Sequence, residues 1–425
     1  MHPRRILVIT YPYPPMPSVG GNRWLAMGKY LRRRGHEIDV LTTSAFGGLP
    51  DDPEQGVHRS KDLIAAPWLR TVLRRPPLPR PGENAAVDKP PQAFVTRLLV
   101  PDHNVATWVP YATYAVRRLT ARKGYDLVIT TSAYESTHLI GLGLGRHRPA
   151  WIADFRDGWT FHSWRPPFPT ALQRRLDVRL ERAVVEAAER TIVVERPVGE
   201  DFRSRLGVDA GYVPNGWDPD LEEEAVSASI PELKGRALTL VHTGKLSGGW
   251  GRNPAPLFEA LRRLKAVDEG LSDKLQLVLA GRLDADEQRL IAEAGLESIV
   301  SHQGMLSRAE AMALQRRADV LILLTSSTLV WELPGKVFEY FGARRPILAL
   351  ADGNEAARVI EETRTGWTVP PEDVDAIVAR LSRLLREGPA LDYDDSLIAP
   401  YVYPAPVEAL EEEIERALSA RRATA

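Results

Sequence analysis

Short apolar runs alternate with longer amphipathic stretches along the chain, and the alternation starts twice. Ile6–Thr10 is a β-branched run, followed by the turn-rich segment YPYPPMPSVGG. The spacing of Trp24, Leu25, Met27, Gly28 and Leu31 predicts a helix over Asn22–Arg34, ended by Gly35, and EIDVLTT then reads as a strand. This strand–helix–strand opening predicts a parallel sheet flanked by helices. Further strands are expected at Leu127–Thr130, Trp151–Ala153 and Thr191–Val194, with helical stretches between them. From Ala237 a second series begins: strand LTLVHTG, a helix over Pro254–Leu264, strand LQLVLAG and a helix over Asp286–Ala294. A strand at Ile299–His302, a helix over Ser307–Arg317, strand DVLILLT, a short helix around Lys336 and strand PILAL complete it.

Two such series predict an α/β protein with two doubly wound, Rossmann-like domains. The expected spans are 1–210 and 211–400, with residues 401–425 carrying an acidic amphipathic helix over Pro406–Ala420. In doubly wound sheets, ligands bind beyond the carboxyl ends of the strands, so a cleft shared by two facing domains is the expected place for chemistry. The prolines of PPLPRPGENAAVDKPPQ predict a long surface loop within Arg74–Gln92.

Composition narrows the chemistry. The 425 residues include no cysteine, which excludes disulfides, thiolate metal sites and cysteine nucleophiles. No run approaches the roughly 18 apolar residues of a membrane span, and MHPRRILVIT lacks the core of a signal peptide, so a cytoplasmic protein is expected. The net charge of −1 conceals an asymmetry: residues 1–210 hold 31 Lys and Arg against 21 Asp and Glu, and the remainder holds 24 against 35. The basic half suits anionic lipid or a lipid-linked phosphate, and so implies possible peripheral contact at the inner face of a membrane. Charge matching across an interdomain cleft accounts for it equally well. Scattered basic residues without interleaved aromatics argue against nucleic acid.

The richest segment for function is ELPGKVFEYFGARRPILAL, Glu332–Leu350. A Pro-Gly turn opens a helix carrying Lys336, with Glu339 one turn deeper. A helix N-terminus favours an anion, and a carboxylate can hold the paired hydroxyls of a ribose, which is what a nucleotide-sugar diphosphate requires. After the first strand of the second series come Gly244 and Lys245, and Arg252 precedes the next helix. These cations suit a diphosphate, or are solvated loop charges. Gly281 stands at the comparable point of the following strand, where it allows close approach of a base or forms a plain turn.

In the first half, Gly20, Gly21, Asn22 and Arg23 open the first helix. They suit a phosphate or sugar, although the spacing is not that of a dinucleotide fingerprint and no acidic residue ends the second strand. Asp154, Arg156 and Asp157 end a later strand beside aromatics. Asp154 with Arg156 reads as a structural ion pair, and Asp157 as a residue facing substrate. His138 lies on an expected helix, where a core role competes with a catalytic one, and His103 and His162 are loop candidates. The glycines Gly141, Gly143 and Gly145 fit close helix packing. Three D-x-D triplets, at Asp218, Asp284 and Asp373, fit turn and helix caps better than a metal site.

Taken in order, these features resemble glycosyltransferase family 4, of the two-domain GT-B fold. The resemblance covers nearly the whole chain: the glycine turn, Pro214-Asn215-Gly216 with Asp218, the Gly244–Asn253 loop, His302-Gln303-Gly304, Ala318-Asp319-Val320 and Pro334 with Lys336, Glu339 and Tyr340. The DFRDGW segment is similar to a bacterial subgroup tied to surface-polysaccharide assembly. The resemblance implies retaining transfer from a nucleoside-diphosphate sugar without metal or cofactor, to a glycan, lipid-linked or small-molecule acceptor. It implies donor contacts from Gly20, Gly21, Gly244, Lys245, Arg252, Gly281, Gly335, Lys336, Val337 and Glu339, and catalytic roles for Arg252, Lys245, Asp157 and Glu332. Acceptor contacts fall to Asn22, Arg23, His138 and Asp154, and the C-terminal helix is expected to return to the first domain. In the family two glutamates often have seven residues between them. Here six residues separate Glu332 from Glu339, and Trp331 occupies the expected first position. A sugar-nucleotide epimerase and a non-catalytic nucleotide-sugar binder are the competing readings.

Overall fold

The computed structural model of the protein describes residues 2–14, 19–45, 51–52, 54–63, 99–102, 105–132, 134–161, 167–230, 233, 235–247 and 251–424. The proline cluster of 74–92, His103 and His162 lie outside them.

The first sheet contains β1 (Arg5–Ile9), β2 (Glu37–Thr43), β3 (Val57–Ser60), β4 (Leu127–Thr131), β5 (Ala150–Phe155), β6 (Arg190–Val193) and β7 (Gly211–Tyr212). Its order is β3-β2-β1-β4-β5-β6-β7, with every pair parallel. The second sheet contains β8 (Leu238–Thr243), β9 (Leu275–Ala280), β10 (Val300–His302), β11 (Val320–Leu324), β12 (Ile347–Leu350) and β13 (Gly366–Val369). Its order is β10-β9-β8-β11-β12-β13, again all parallel. The central strands are buried along their whole length, which is why they read as unbroken apolar runs rather than alternating ones. Each sheet reverses its winding beside its first strand, between β1 and β4 and between β8 and β11.

The chain divides into two compact units, Met1–Pro214 with Pro406–Ala425, and Asn215–Ala405. Both expected boundaries therefore move. Residues Gly211–Tyr212 extend the first sheet by pairing with β6, and Val402 bridges to Trp217 inside the second unit. The helix Ala405–Thr424 belongs to the first unit through its acids. Glu411 accepts from Arg34 (2.8 Å) and faces His36 (3.1 Å), Glu415 pairs with Arg4 (2.9 Å), and Glu413 pairs with Arg190 (2.6 Å). Part of the charge asymmetry is thus neutralised within one unit, by acid from the end of the chain.

The first helix spans Val19–Arg33, so Gly20 and Gly21 lie in its first turn instead of in a loop before it. Gly141 behaves as a packing glycine: a Cβ there would fall 2.2 Å from the Trp151 ring. Asp284 and Asp373 cap helices and Asp218 caps a short turn, accepting from the amides of Glu287, Ala376 and Asp220.

Candidate functional site

Most of the charged residues singled out in the second half gather at the carboxyl ends of β8 and β11, beside the point where that sheet reverses its winding. β8 ends in His242-Thr243, and Gly244 turns the chain with φ of 89°. Lys336 comes from the first turn of the helix Lys336–Ala343, whose N-terminus has no side-chain cap. A Cβ on Gly244 would sit 3.6 Å from the Lys336 ammonium, an ordinary contact, so it is the left-handed turn rather than lack of room that calls for glycine.

Sequence reading did not single out His242, which is buried in β8 beside Thr243. Its Nδ1 lies 3.0 Å from the Ile322 carbonyl and its Nε2 3.0 Å from Lys336 Nζ. Nε2 lies equally close, 3.0 Å, to the Lys245 carbonyl. The tautomer with Nδ1–H donates to Ile322 and accepts from Lys336, and the Lys245 carbonyl then accepts from Lys336 Nζ (3.5 Å). Burial and the neighbouring Lys336 depress the imidazole to about 3, which keeps it neutral. Lys336 is itself lowered to about 7, by burial first and by Arg252 second, with Glu339 and Glu332 opposing. Two cations face one spot there, and an arriving anion favours the protonated form of Lys336. Lys245 is exposed beside them.

Arg252 is held by a buried acid. Glu332 is 3% exposed, and its Oε1 accepts from Arg252 Nε at 2.7 Å while its Oε2 accepts the Ser326 amide at 2.5 Å. Ser326 also bridges the Arg252 backbone. Both oxygens of Glu332 are committed within the protein, which corrects the expectation that it approaches a donor sugar. Glu339 keeps 26% of its side chain exposed, next to Arg308 (3.3 Å), and is steadied by the fully buried Gln315 (3.4 Å). Arg308 and Gln315 lie on the helix Arg308–Arg316 and carried no signal of a role in the sequence.

Other expectations are also corrected. Val337 is fully buried, and its amide is spent on the Pro334 carbonyl (2.9 Å). Gly281 makes its close approach to the backbone of Gly244, where a Cβ would lie 2.4 Å from the carbonyl oxygen; it knits two strand ends together. Gly335 stands at the helix start, as expected of a backbone contact to an anion.

In the first unit, Arg23 and Asp154 form a fully buried pair (3.3 Å). Asp154 also accepts from Trp24 (3.1 Å) and Thr131 (2.9 Å), and Arg23 donates to the carbonyls of Val213 and Pro214. Neither faces an acceptor, and the partner of Asp154 is Arg23 rather than Arg156, which bonds Ser132 instead. His138 is likewise a core residue, bonded to Thr130 (2.8 Å) and stacked on Phe155 at 4.4 Å; burial lowers it to about 3. Asn22 is exposed on the first helix, and Gly20 and Gly21 stand beside it. Asp157 is partly buried at the end of β5, and burial raises its carboxyl against the pull of Arg156.

Comparison with known proteins agrees with this layout. The sequence model of a family described as "Glycosyl transferase 4-like domain" matches residues 20–216, and that of "Glycosyl transferases group 1" matches 237–387. WcaL of Salmonella typhimurium, named as a colanic acid biosynthesis glycosyltransferase, is 26% identical over 38% of this chain and 38% of its own. The "Probable glycosyltransferase WbjE" of Pseudomonas aeruginosa is 26% identical over 51% of this chain and 54% of its own. The chain thus spans about half or less of the curated relatives it matches. Among solved structures, sucrose-phosphate synthase from Thermosynechococcus elongatus superposes with a TM-score of 0.64 at 16% identity, covering 99% of this chain and 98% of that one. The lipopolysaccharide outer core galactosyltransferase WaaB gives 0.60 at 13% identity, covering 97% and 99%. A structure titled as a UDP-N-acetylglucosamine 2-epimerase of Listeria monocytogenes gives 0.55 at 13%, covering 97% of each. These likenesses are of fold. With a family model matching in each of its two doubly wound domains, the chain belongs to the group 1, or family 4, glycosyltransferases of GT-B fold.

Proposed function

We propose that the protein transfers a sugar from a nucleoside diphosphate to an acceptor hydroxyl, with retention at the anomeric carbon. The observation that carries this reading is the convergence of Arg252 and Lys336 at one strand end, with Glu339 one helical turn away. The bond from the anomeric carbon to the diphosphate oxygen breaks, and its electron pair leaves with the diphosphate. The acceptor oxygen bonds to the same face of that carbon and passes its proton to the departing diphosphate oxygen. Arg252, Lys336 and Lys245 meet the growing charge on the leaving group, so no metal or cofactor is required. Fixed cations in such a place lower the barrier because they need no reorganisation as the charge appears. Glu339 is the ribose ligand. In the first domain Asn22 remains the candidate for the acceptor, Gly20 and Gly21 for the donor and Asp157 for catalysis; the acceptor is a glycan, a lipid-linked saccharide or a small molecule. A lipid-linked acceptor brings the basic first unit to the inner face of a membrane.

Incubation with a panel of nucleotide sugars tests the reaction. Slow release of free sugar and nucleotide is expected, unaffected by a chelator, and transfer when a suitable acceptor is added. Recovery of an isomerised donor replaces this reading with the epimerase; no binding of any nucleotide removes both. Glu339→Ala should weaken nucleotide binding by about 1–3 kcal/mol, the cost of leaving hydroxyls unpaired. Unchanged affinity by calorimetry in a folded variant refutes the ribose role.

The Lys336 cluster also sets a pH dependence. Its amine, lowered to about 7 when the site is empty, is raised by a bound diphosphate, because the anion favours the charged form. Nucleoside-diphosphate affinity should therefore be greatest below pH 7 and fall as pH rises above it. Lys336→Arg, charged throughout, should flatten that profile. A wild-type affinity constant from pH 6 to pH 9 contradicts the assignment.

A further inference from the structure

Up to Glu181 the helix Ala171–Ala187 is turned inside out, and only its last turn buries apolar groups, Val184 and Val185. The inward row of the earlier turns is polar: Gln173 closes a capping box with Thr170, Asp177 accepts from the Trp159 indole (2.8 Å), and Glu181 accepts from Thr160 (2.6 Å) and Arg205 (2.7 Å). All three are buried. The outward side instead presents Leu172, 76% exposed, Leu176 and Val178, set among Arg174, Arg175, Arg179 and Arg182. The single exposed acid of the helix is Glu186, which Arg182 engages (3.2 Å). Ala171, Arg174, Arg175, Val178 and Arg179 line a shallow surface groove.

A solvated helix face ordinarily mixes charges of both signs and keeps its leucines inside. Here the buried carboxylates fix the rotation of the helix so that the leucines must face outward. Aliphatic side chains between arginines, on a helix about 25 Å long, match the boundary of an anionic bilayer. The apolar groups enter the acyl edge and the guanidiniums bind phosphates. A nucleic acid fits less well, since the face carries no aromatic for a base to stack on.

We propose that this face docks on an anionic phospholipid bilayer. It rests on the peripheral membrane contact put forward above and supplies the surface that makes it; the sugar-transfer chemistry does not enter. Flotation of the full chain with vesicles of phosphatidylglycerol in phosphatidylcholine, against pure phosphatidylcholine, is the test. The wild type should float with the anionic vesicles and weaken with added salt. The double variants Leu172→Ser with Leu176→Ser, and Arg175→Glu with Arg179→Glu, should each lose at least tenfold in vesicle affinity. Both change exposed side chains, and an unaltered melting temperature and nucleotide affinity would show that they fold. Equal vesicle binding by wild type and variants would place the contact elsewhere and overturn the helix assignment alone. Absence of flotation in the wild type would overturn the membrane contact as well. Loss of a dimer in the variants, with vesicle binding unchanged, would make the face a self-association surface instead.

Discussion

Arg252→Ala is expected to lower turnover on the order of 10²–10³-fold, the usual effect of removing one preorganised group that stabilises developing charge, while nucleotide affinity falls much less. The difference arises because charge on the departing diphosphate is larger in the transition state than in the bound donor. Glu332 is central to this prediction. Its carboxylate takes Arg252 with one oxygen and the Ser326 amide with the other, so it fixes the guanidinium without facing the substrate. Glu332→Gln keeps the shape but puts an N–H donor where one of two donors must be accepted, and should reproduce part of the loss in turnover. Adding Glu332→Gln to Arg252→Ala should then cost little more, because the two side chains act as a unit. Steady-state kinetics with calorimetry separate the possibilities. Equal losses of turnover and affinity in Arg252→Ala would make the arginine a ground-state anchor. Fully additive losses would return Glu332 to an independent role.

The second large effect is on stability. Asp154→Ala should cost about 3–5 kcal/mol, because it strands a guanidinium in the core. Arg23 and Asp154 are 1% and 0% exposed, and Asp154 also receives the Trp24 indole and the Thr131 hydroxyl. Through Arg23 the pair reaches the carbonyls of Val213 and Pro214, where the chain leaves the first unit. Denaturant unfolding of the variant, followed by tryptophan fluorescence, should report the first unit's loss. A change below about 1 kcal/mol, the level of an exposed ion pair, would mean that the pair is not a buried anchor.

The three failures of assignment in the first half have one cause. Asp154 lies near the end of a strand, and Arg23 and His138 lie early on the helix that follows one, which is also where ligand contacts cluster in this fold. Sequence gives their position along an element and not the direction in which they point. Asp154 lies within the buried strand β5 and points inward, while Asp157, three residues on, lies past the strand's end and is partly exposed. His138 sits on a helix whose inner face stacks against Phe155, a residue 17 positions away. The same gap hid His242. One histidine inside LTLVHT could not be known to meet Lys336, which is 94 residues later.

Domain limits were legible to within a few residues, and the error again came from long-range pairing. Two-residue β7 is too short to carry an apolar signature, and only its bonds to β6 reveal it. By contrast, the twofold run of strands and helices, the packing role of Gly141 and the capping role of Asp284 and Asp373 were readable, since each rests on local periodicity or on residues three or four positions apart.

The sequence by itself determined that this protein has two doubly wound domains, no thiol chemistry and a lysine and a carboxylate set one turn apart on a short helix. Those properties follow from residue order over a turn or a strand. Tertiary structure decided which charges are free to act. It buried Arg23 with Asp154 and Glu332 beneath Arg252, and it left Lys336 against a neutral histidine. The physical reason is that a charge's role depends on what surrounds it in space. Burial demands a partner, and the partners here are drawn from 80 to 131 residues away.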